Sequence, residues 1–228
     1  MVSGKNMLIK TKYFESNRSE MLRFITNKPK TSLEVGCREA THSKLLKSKL
    51  NIQETWGIEP EKNDKMINKA KGNLDYFIND YLTEDTDSLP KNYFDLVIFN
   101  DVLEHMYDPW EILLQTKPLL TENAIIIASI PNIRHKSILK KLLFNDEFEY
   151  KEEGLLDVTH IRFFTKHSIE KMFNDTGYEI IQIESLVKEK PRLLKKIFNI
   201  LTFNKFKTLN IFQYGVTAKK GVNETSSN

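Results

Sequence analysis

The stretch SLEVGCREATHSKLL, residues 32–46, decides how the rest of the chain is read. It is a short apolar strand running into a tight turn and then a helix, the place where nucleotide-type cofactors bind in layered α/β proteins. The turn holds a single glycine, Gly36. A dinucleotide fingerprint needs three: one for the turn, one for close approach to the pyrophosphate, one for helix packing. The later positions here are Arg38 and Thr41. A long charged side chain at the second position blocks a pyrophosphate lying over the backbone, so a nicotinamide dinucleotide fits poorly.

Outward from that turn, strands and helices alternate. TSLEVGC (31–37), ETWGIEP (54–60), LDYFIND (74–80), YFDLVIFND (93–101) and NAIIIASIP (123–131) read as strands. HSKLLKSKL (42–50) and EKNDKMINKAK (61–71) read as helices between them, and another begins near Asp108-Pro109, a capping residue followed by proline. This alternation predicts a doubly wound α/β domain, a mostly parallel sheet covered on both faces. Ligands in such sheets bind beyond the carboxyl ends of the strands. The positions to interrogate are therefore Glu34 to Ala40, Glu59, Asp80, Asn100 to His105, and Pro131-Asn132.

The flanks read less regularly. YFESNRSEMLRFITN (13–27) predicts a helix with Phe14, Met21, Leu22 and Ile25 on one face. IRHKSILKKLLF (133–144) and TKHSIEKMFNDTGY (165–178) read as helices, the second with Thr165 as its N-cap. YEIIQIESLV (178–187) and IFQYGVTAKK (211–220) supply two last strands, for seven in all.

Composition narrows the function classes. A chain of 228 residues suits one well-cored domain. Its net charge of +3 does not by itself argue for nucleic acid or an anionic membrane. Cys37 is the only cysteine, which excludes an internal disulfide and a cysteine-rich zinc site and fits a reducing cytoplasm. The longest apolar run, near AIIIASI, is far short of the roughly 20 residues of a membrane-spanning helix.

S-adenosylmethionine has no pyrophosphate, so one glycine can suffice for it. It carries an adenosine and a zwitterionic methionine tail around a sulfonium. Its site wants a carboxylate near the first turn, an acid for the ribose hydroxyls and a polar group at the adenine edge. Glu34 supplies the first. Glu59 ends the second strand where a ribose-binding acid belongs, and Asp80 ends the third beside Tyr81. Cys37 and Arg38 in the turn, Pro60 after Glu59, and Asn100-Asp101 at the fourth strand's end complete the candidate cofactor set. Cys37 reads as a space-filling residue rather than a nucleophile. Glu34 has a plainer alternative as a cap on the following turn, and Glu59 as a cap on the next helix.

In order and spacing, LEVGCREA, WGIEPEKN, INDYL, FDLVIFNDVLEHMYDP and IIIASIPN resemble the successive motifs of class I S-adenosylmethionine-dependent methyltransferases. The resemblance covers roughly residues 13 to 187. It implies a Rossmann-like, seven-stranded methyltransferase fold with a lid insertion after the fifth strand, and S-adenosylmethionine as cofactor. The chain departs from the family pattern at Arg38 and Ala40, where glycines are usual. The expected outcome is an Arg38 side chain pointing to solvent or toward the cofactor carboxylate.

Methyl transfer is an in-line displacement, and a hydroxyl acceptor also needs a base, commonly histidine. Asn100-Asp101-Val102-Leu103 stands where amino-methyltransferases of nucleic-acid bases carry an Asn/Asp-Pro-Pro-aromatic motif, so nucleic acid is disfavoured as a partner. NDVLEHMYDP resembles small-molecule members that O-methylate quinone precursors and sugars. DVTHIRFFT (157–165) resembles methyltransferases of glycan and polysaccharide biosynthesis. The implied acceptor is a small molecule or glycan, with His160 and Arg162 on the lid, His105 at the pocket floor, and one of the two histidines as general base. The bland alternatives are a capping role for His105 and a loop-shaping bond between His160 and Asp157.

Two other readings stay open. Asp101, Glu104 and His105 fall at i, i+3 and i+4, and with His160 they would make a divalent-ion site. The family that 2′-O-methylates the 3′ ends of small RNAs has a similar pattern. Alternatively, the altered turn marks a non-catalytic binding module that keeps the fold.

The expected organisation is an N-terminal helical segment (1–30), a methyltransferase domain (31–220) with a lid at about 133–165, and a disordered tail (221–228). Within the domain, KEKPRLLKKIFNILTFNKFK (188–207) is basic and amphipathic. It reads as a connector packing its apolar side on the sheet, with weak contact to a membrane surface as the alternative. The sequence carries no signal for an oligomeric state.

Overall fold

The computed structural model describes residues 17–83, 88–187 and 206–221. Seven strands form one sheet: β1 (Thr31–Val35), β2 (Glu54–Ile58), β3 (Tyr76–Ile78), β4 (Phe94–Asn100), β5 (Leu120–Pro131), β6 (Tyr178–Ser185) and β7 (Gln213–Lys220). Their order is β3-β2-β1-β4-β5-β7-β6. β1 to β5 run parallel, and β7 is antiparallel to both of its neighbours. The order reverses between β1 and β4, so their carboxyl ends diverge into connections on opposite sides and open a crevice there.

Among the described residues five α-helices connect the strands: α1 (Thr41–Leu50), α2 (Asp64–Asn73), α3 (Pro109–Thr116), α4 (Lys136–Asn145) and α5 (Lys166–Asp175). Local chemistry sets their starts. Asn63 accepts a hydrogen bond from the Lys65 N–H ahead of α2, and Asp108 one from Glu111 ahead of α3, with Pro109 in the first turn. Thr165 and Ser168 form a reciprocal capping box on α5.

β4 shows why the central strands read as continuous apolar runs. Val97 and Phe99 join the core on one face, with Leu113 of α3 and Phe173 of α5. Leu96 and Ile98 join the core on the other, with Leu46 of α1. Period-two side chains thus meet apolar partners on both sides of the sheet. Emptying a core site such as Phe99 to alanine would cost about 3–5 kcal/mol.

The helix expected over 13–27 is shorter and tighter. Residues 13–16 lie outside the described residues, and the remainder forms a 3₁₀ turn, Ser19–Phe24. Met21 and Phe24 are buried from it, and Leu22 and Ile25 pack at its edge. The Phe24 ring occupies the space that a side chain at Gly215 would need, which pins this turn onto β7. β5 begins three residues earlier than expected, at Leu120, because that residue pairs with Phe94. The basic stretch 188–207 lies outside the described residues up to its last two positions, where the 3₁₀ turn Lys207–Asn210 begins. Tail residues 222–228 also lie outside them. Among the described residues no helix is long and apolar enough to cross a membrane.

Candidate active site

β1 delivers the chain into its turn at Gly36, with φ of 69°. A Cβ built there would lie 2.6 Å from Val102 Cγ2, so glycine is needed for space as well as for backbone conformation. Arg38 and Ala40 are also left-handed, at φ of 51° and 53°. The two positions where the resembled family pattern has glycine therefore keep the glycine-type backbone with ordinary side chains, at about 1 kcal/mol or more each. The Arg38 N–H donates to Glu59 Oε2 at 3.0 Å and braces this turn against the end of β2. Its side chain is exposed, as expected.

Cys37 fills space. Its Sγ lies 2.7 Å from where a Cβ on Gly57 would be, and burial, followed by the Glu34 and Glu59 charges, drives its pKa far upward. The thiol stays protonated and is no nucleophile. Glu34 is buried, and its Oε2 accepts from the Ser43 N–H at 3.1 Å and the Ser43 hydroxyl at 2.5 Å. It does cap the first turn of α1.

A cavity of about 470 Å³ opens at the carboxyl ends of β1, β2 and β4. The fold brings to its wall twelve of the sequence-predicted residues, Glu34, Gly36, Cys37, Arg38, Glu59, Pro60, Asp80, Tyr81, Asn100, Asp101, His105 and His160, whereas Glu104, Pro131, Asn132 and Arg162 are not among its lining residues. Glu59 is half-buried, and burial raises its pKa against the opposing pull of the Arg38 N–H and guanidinium. Asp80 is exposed and accepts from the Tyr81 N–H at 2.7 Å. Asn100 holds both side-chain polar atoms buried without a hydrogen-bond partner. Leaving such atoms unmet costs about 1–3 kcal/mol, which a polar ligand would recover.

Asp101 is committed elsewhere. Its Oδ1 accepts from the Ser129 hydroxyl at 2.7 Å and from the Gln213 amide, and its Oδ2 pairs with the Arg18 guanidinium. Its left-handed backbone (φ 55°) breaks the helical register that would have put it beside Glu104 and His105. The short 3₁₀ turn starts only at Leu103.

On the far wall stand two histidines. His105 Nδ1 lies 3.0 Å from the Thr159 carbonyl oxygen, and His160 Nδ1 lies 3.3 Å from that of Leu155. A carbonyl only accepts, so each Nδ1 carries its proton and each Nε2 is left as the basic atom. The rings sit 4.8 Å apart, edge to face. His160 is buried, and burial, followed by the nearby His105, lowers its pKa. It does not bond the Asp157 carboxylate, whose Oδ1 accepts instead from the N–H and hydroxyl of Thr159. Glu104 is 1% exposed, with both carboxylate oxygens unpartnered, and burial lifts its pKa to about 8. Donor atoms of Glu104, His105 and His160 lie within 4.8 Å of one another. The Glu104 carbonyl oxygen also accepts from the N–H groups of Ile161 and Arg162, both at 3.0 Å, which ties residues 155–165 to this wall.

Sequence reading missed Arg18, His42, Glu152 and Glu153 in the wall. His42 directly follows the turn and was within reach of it. Arg18 had no local signal.

The residues suit S-adenosylmethionine. The Gly36 turn has no room for a Cβ, an acid ends β2, and Asn100 presents unmet polar atoms. Together with the strand order, this is the Rossmann-like class I methyltransferase architecture. Residues 9–183 match the model of a methyltransferase-domain family, and the chain belongs to that family. It is an S-adenosylmethionine-dependent methyltransferase.

Solved structures agree in fold. A SAM-dependent methyltransferase of Archaeoglobus fulgidus is 20% identical, with a TM-score of 0.65 over 94% of this chain and 99% of that one. A Thermotoga maritima methyltransferase described as a "possible histamine N-methyltransferase" is 14% identical, with 0.61 over 94% and 95%. The plantazolicin methyltransferase BpumL, solved with S-adenosylhomocysteine, is 18% identical, with 0.61 over 96% and 91%. No curated protein matches the chain.

Proposed function

We propose that the chain transfers a methyl group to an oxygen of a sugar or other small polar metabolite, with a histidine as general base. The observation that carries this is the pair His105 and His160, each with Nδ1 held to a backbone carbonyl and Nε2 left basic, beside the cofactor cavity. The donor supplies a methyl group on a sulfonium, already a good leaving group. The protein's part is then to position the acceptor, exclude water and take one proton. His105 is exposed on the cavity wall and takes the proton at Nε2. His160, buried and kept neutral, holds the His105 ring edge-on. On the donor side, Glu59 accepts from the ribose hydroxyls and Asp80 meets the adenine edge. Residues 133–165 serve as the lid, and the DVTHIRFFT motif supports a glycan-type acceptor.

The experiment is transfer of labelled methyl from S-adenosylmethionine to a panel of sugars and polyols, followed by identification of the methylated atom. Label found on nitrogen or carbon would overturn the oxygen assignment.

One observation favours a second reading. The Glu104 carboxylate has no partner in its buried site and shares a 4.8 Å cluster with both histidines. A divalent ion held there would bind the acceptor hydroxyl directly. Activity that is lost to a chelator and restored by magnesium or manganese would select this reading over the metal-free one.

A further inference from the structure

We propose that Arg18, from the segment ahead of β1, is the counter-cation for the carboxylate of the methyl donor. This rests on the reading that the cavity takes S-adenosylmethionine, and it assigns the donor's amino-acid end.

The argument begins with charge. The cavity wall carries many carboxylates, among them Glu34, Glu59, Asp101, Glu152 and Asp157. A carboxylate entering such a wall is repelled unless it meets a cation. Among the described lining residues the guanidinium groups are those of Arg18 and Arg38, and no lysine is present. Arg38 is exposed and acts on Glu59, at the ribose side. Arg18 is 15% exposed in its side chain and lies at Asp101, on the β4 side of the crevice.

Two features mark the same end of the cavity. The first turn of the ten-residue α1 lines it with Thr41 and His42, and a helix N-terminus favours negative charge. His42 is 2% exposed, and its Nδ1 lies 3.0 Å from the Asn17 carbonyl oxygen, next to Arg18 in the chain. Its Nε2 is buried without a partner; with Nδ1 donating, that nitrogen is an acceptor, suited to the ammonium that sits beside the donor's carboxylate.

Arg18 is held, not floppy. Its carbonyl oxygen accepts from the Met21 N–H at 2.9 Å, Met21 and Phe24 are fully buried, and the Thr217 hydroxyl donates to the Phe24 carbonyl oxygen at 2.7 Å. Asp101, fixed by Ser129 and Gln213, aims the guanidinium. With five N–H donors, an arginine can keep Asp101 and still grip a second carboxylate.

The test is calorimetric and needs no acceptor. S-adenosylhomocysteine carries the carboxylate; 5′-methylthioadenosine keeps the adenosine and sulfur but lacks the amino-acid end. Arg18→Ala is expected to weaken S-adenosylhomocysteine binding ten-fold or more and to leave methylthioadenosine within two-fold of the parent protein. Arg18→Lys should recover part of the loss, and Arg18→Gln, which keeps the apolar stem, should not. Unchanged S-adenosylhomocysteine affinity, or an equal loss for both ligands, would overturn the assignment. A parent protein that binds neither ligand would instead overturn the cofactor reading of the cavity, and this inference with it.

Discussion

The main-chain N–H of Arg38 donates to the Glu59 carboxylate across 3.0 Å, joining the turn after β1 to the end of β2. One carboxylate thus braces the left-handed turn and faces the cavity. The second lone pairs of that group are what ribose hydroxyls would use.

Removing Glu59 should therefore act on both. Glu59→Ala is expected to weaken S-adenosylhomocysteine binding about ten-fold or more by calorimetry. Unchanged affinity would remove the ribose assignment.

Acid should have a similar effect. Burial raises the Glu59 pKa, so its carboxylate takes up a proton at a milder pH than an exposed glutamate would. Protonation removes the acceptor that the hydroxyls need, so affinity falls as pH drops through that raised value. Glu59→Gln should flatten this pH dependence, and a profile identical to the parent's would count against it.

The two histidines separate chemistry from binding. His105→Ala is expected to slow turnover by about 10²–10⁴ with cofactor affinity intact, as for a lost general base. His160→Ala should slow it less, through loss of ring positioning. If neither variant slows transfer, the acid–base proposal fails.

The turn offers contrasting outcomes at two positions. Gly36→Ala places a Cβ 2.6 Å from Val102 Cγ2 on a left-handed backbone, and should cost about 1–3 kcal/mol in denaturant unfolding. Ala40→Gly relieves a left-handed backbone at φ of 53° but gives up a buried methyl, so its stability should stay within about 1 kcal/mol of the parent. A loss of more than about 2 kcal/mol in Ala40→Gly would contradict the strain assigned to this turn.

Glu104 gives a stability signature. Its folded pKa of about 8 exceeds the ordinary 4.5 of a glutamate, so between those limits the folded state holds a proton that the unfolded chain has lost. Stability should fall as pH rises across that window, by up to about 1.4 kcal/mol per unit. In chelator-treated protein, Glu104→Gln should reduce the slope, and an unchanged slope would remove this assignment.

Much of this molecule was legible along the chain. The strand–helix alternation is local: β4 shows both of its buried faces in seven consecutive residues, and Asp108-Pro109 announces α3 by itself. Parallel strands gather their carboxyl ends at one rim, so the cofactor residues named at the ends of β1 to β4 line one cavity, whereas Pro131 and Asn132 at the end of β5 do not.

Side-chain partnership was not legible, because it depends on which distant backbone groups packing brings within hydrogen-bond reach. Nothing near Arg18 in the chain points to Asp101, and nothing near His105 points to the Thr159 carbonyl. Helical spacing grouped Asp101 with Glu104 and His105, yet a single left-handed residue turned it toward Ser129 and Gln213 instead. Periodicity describes how a backbone runs. Which oxygen meets which proton is settled when segments far apart in the chain are pressed together around a shared core.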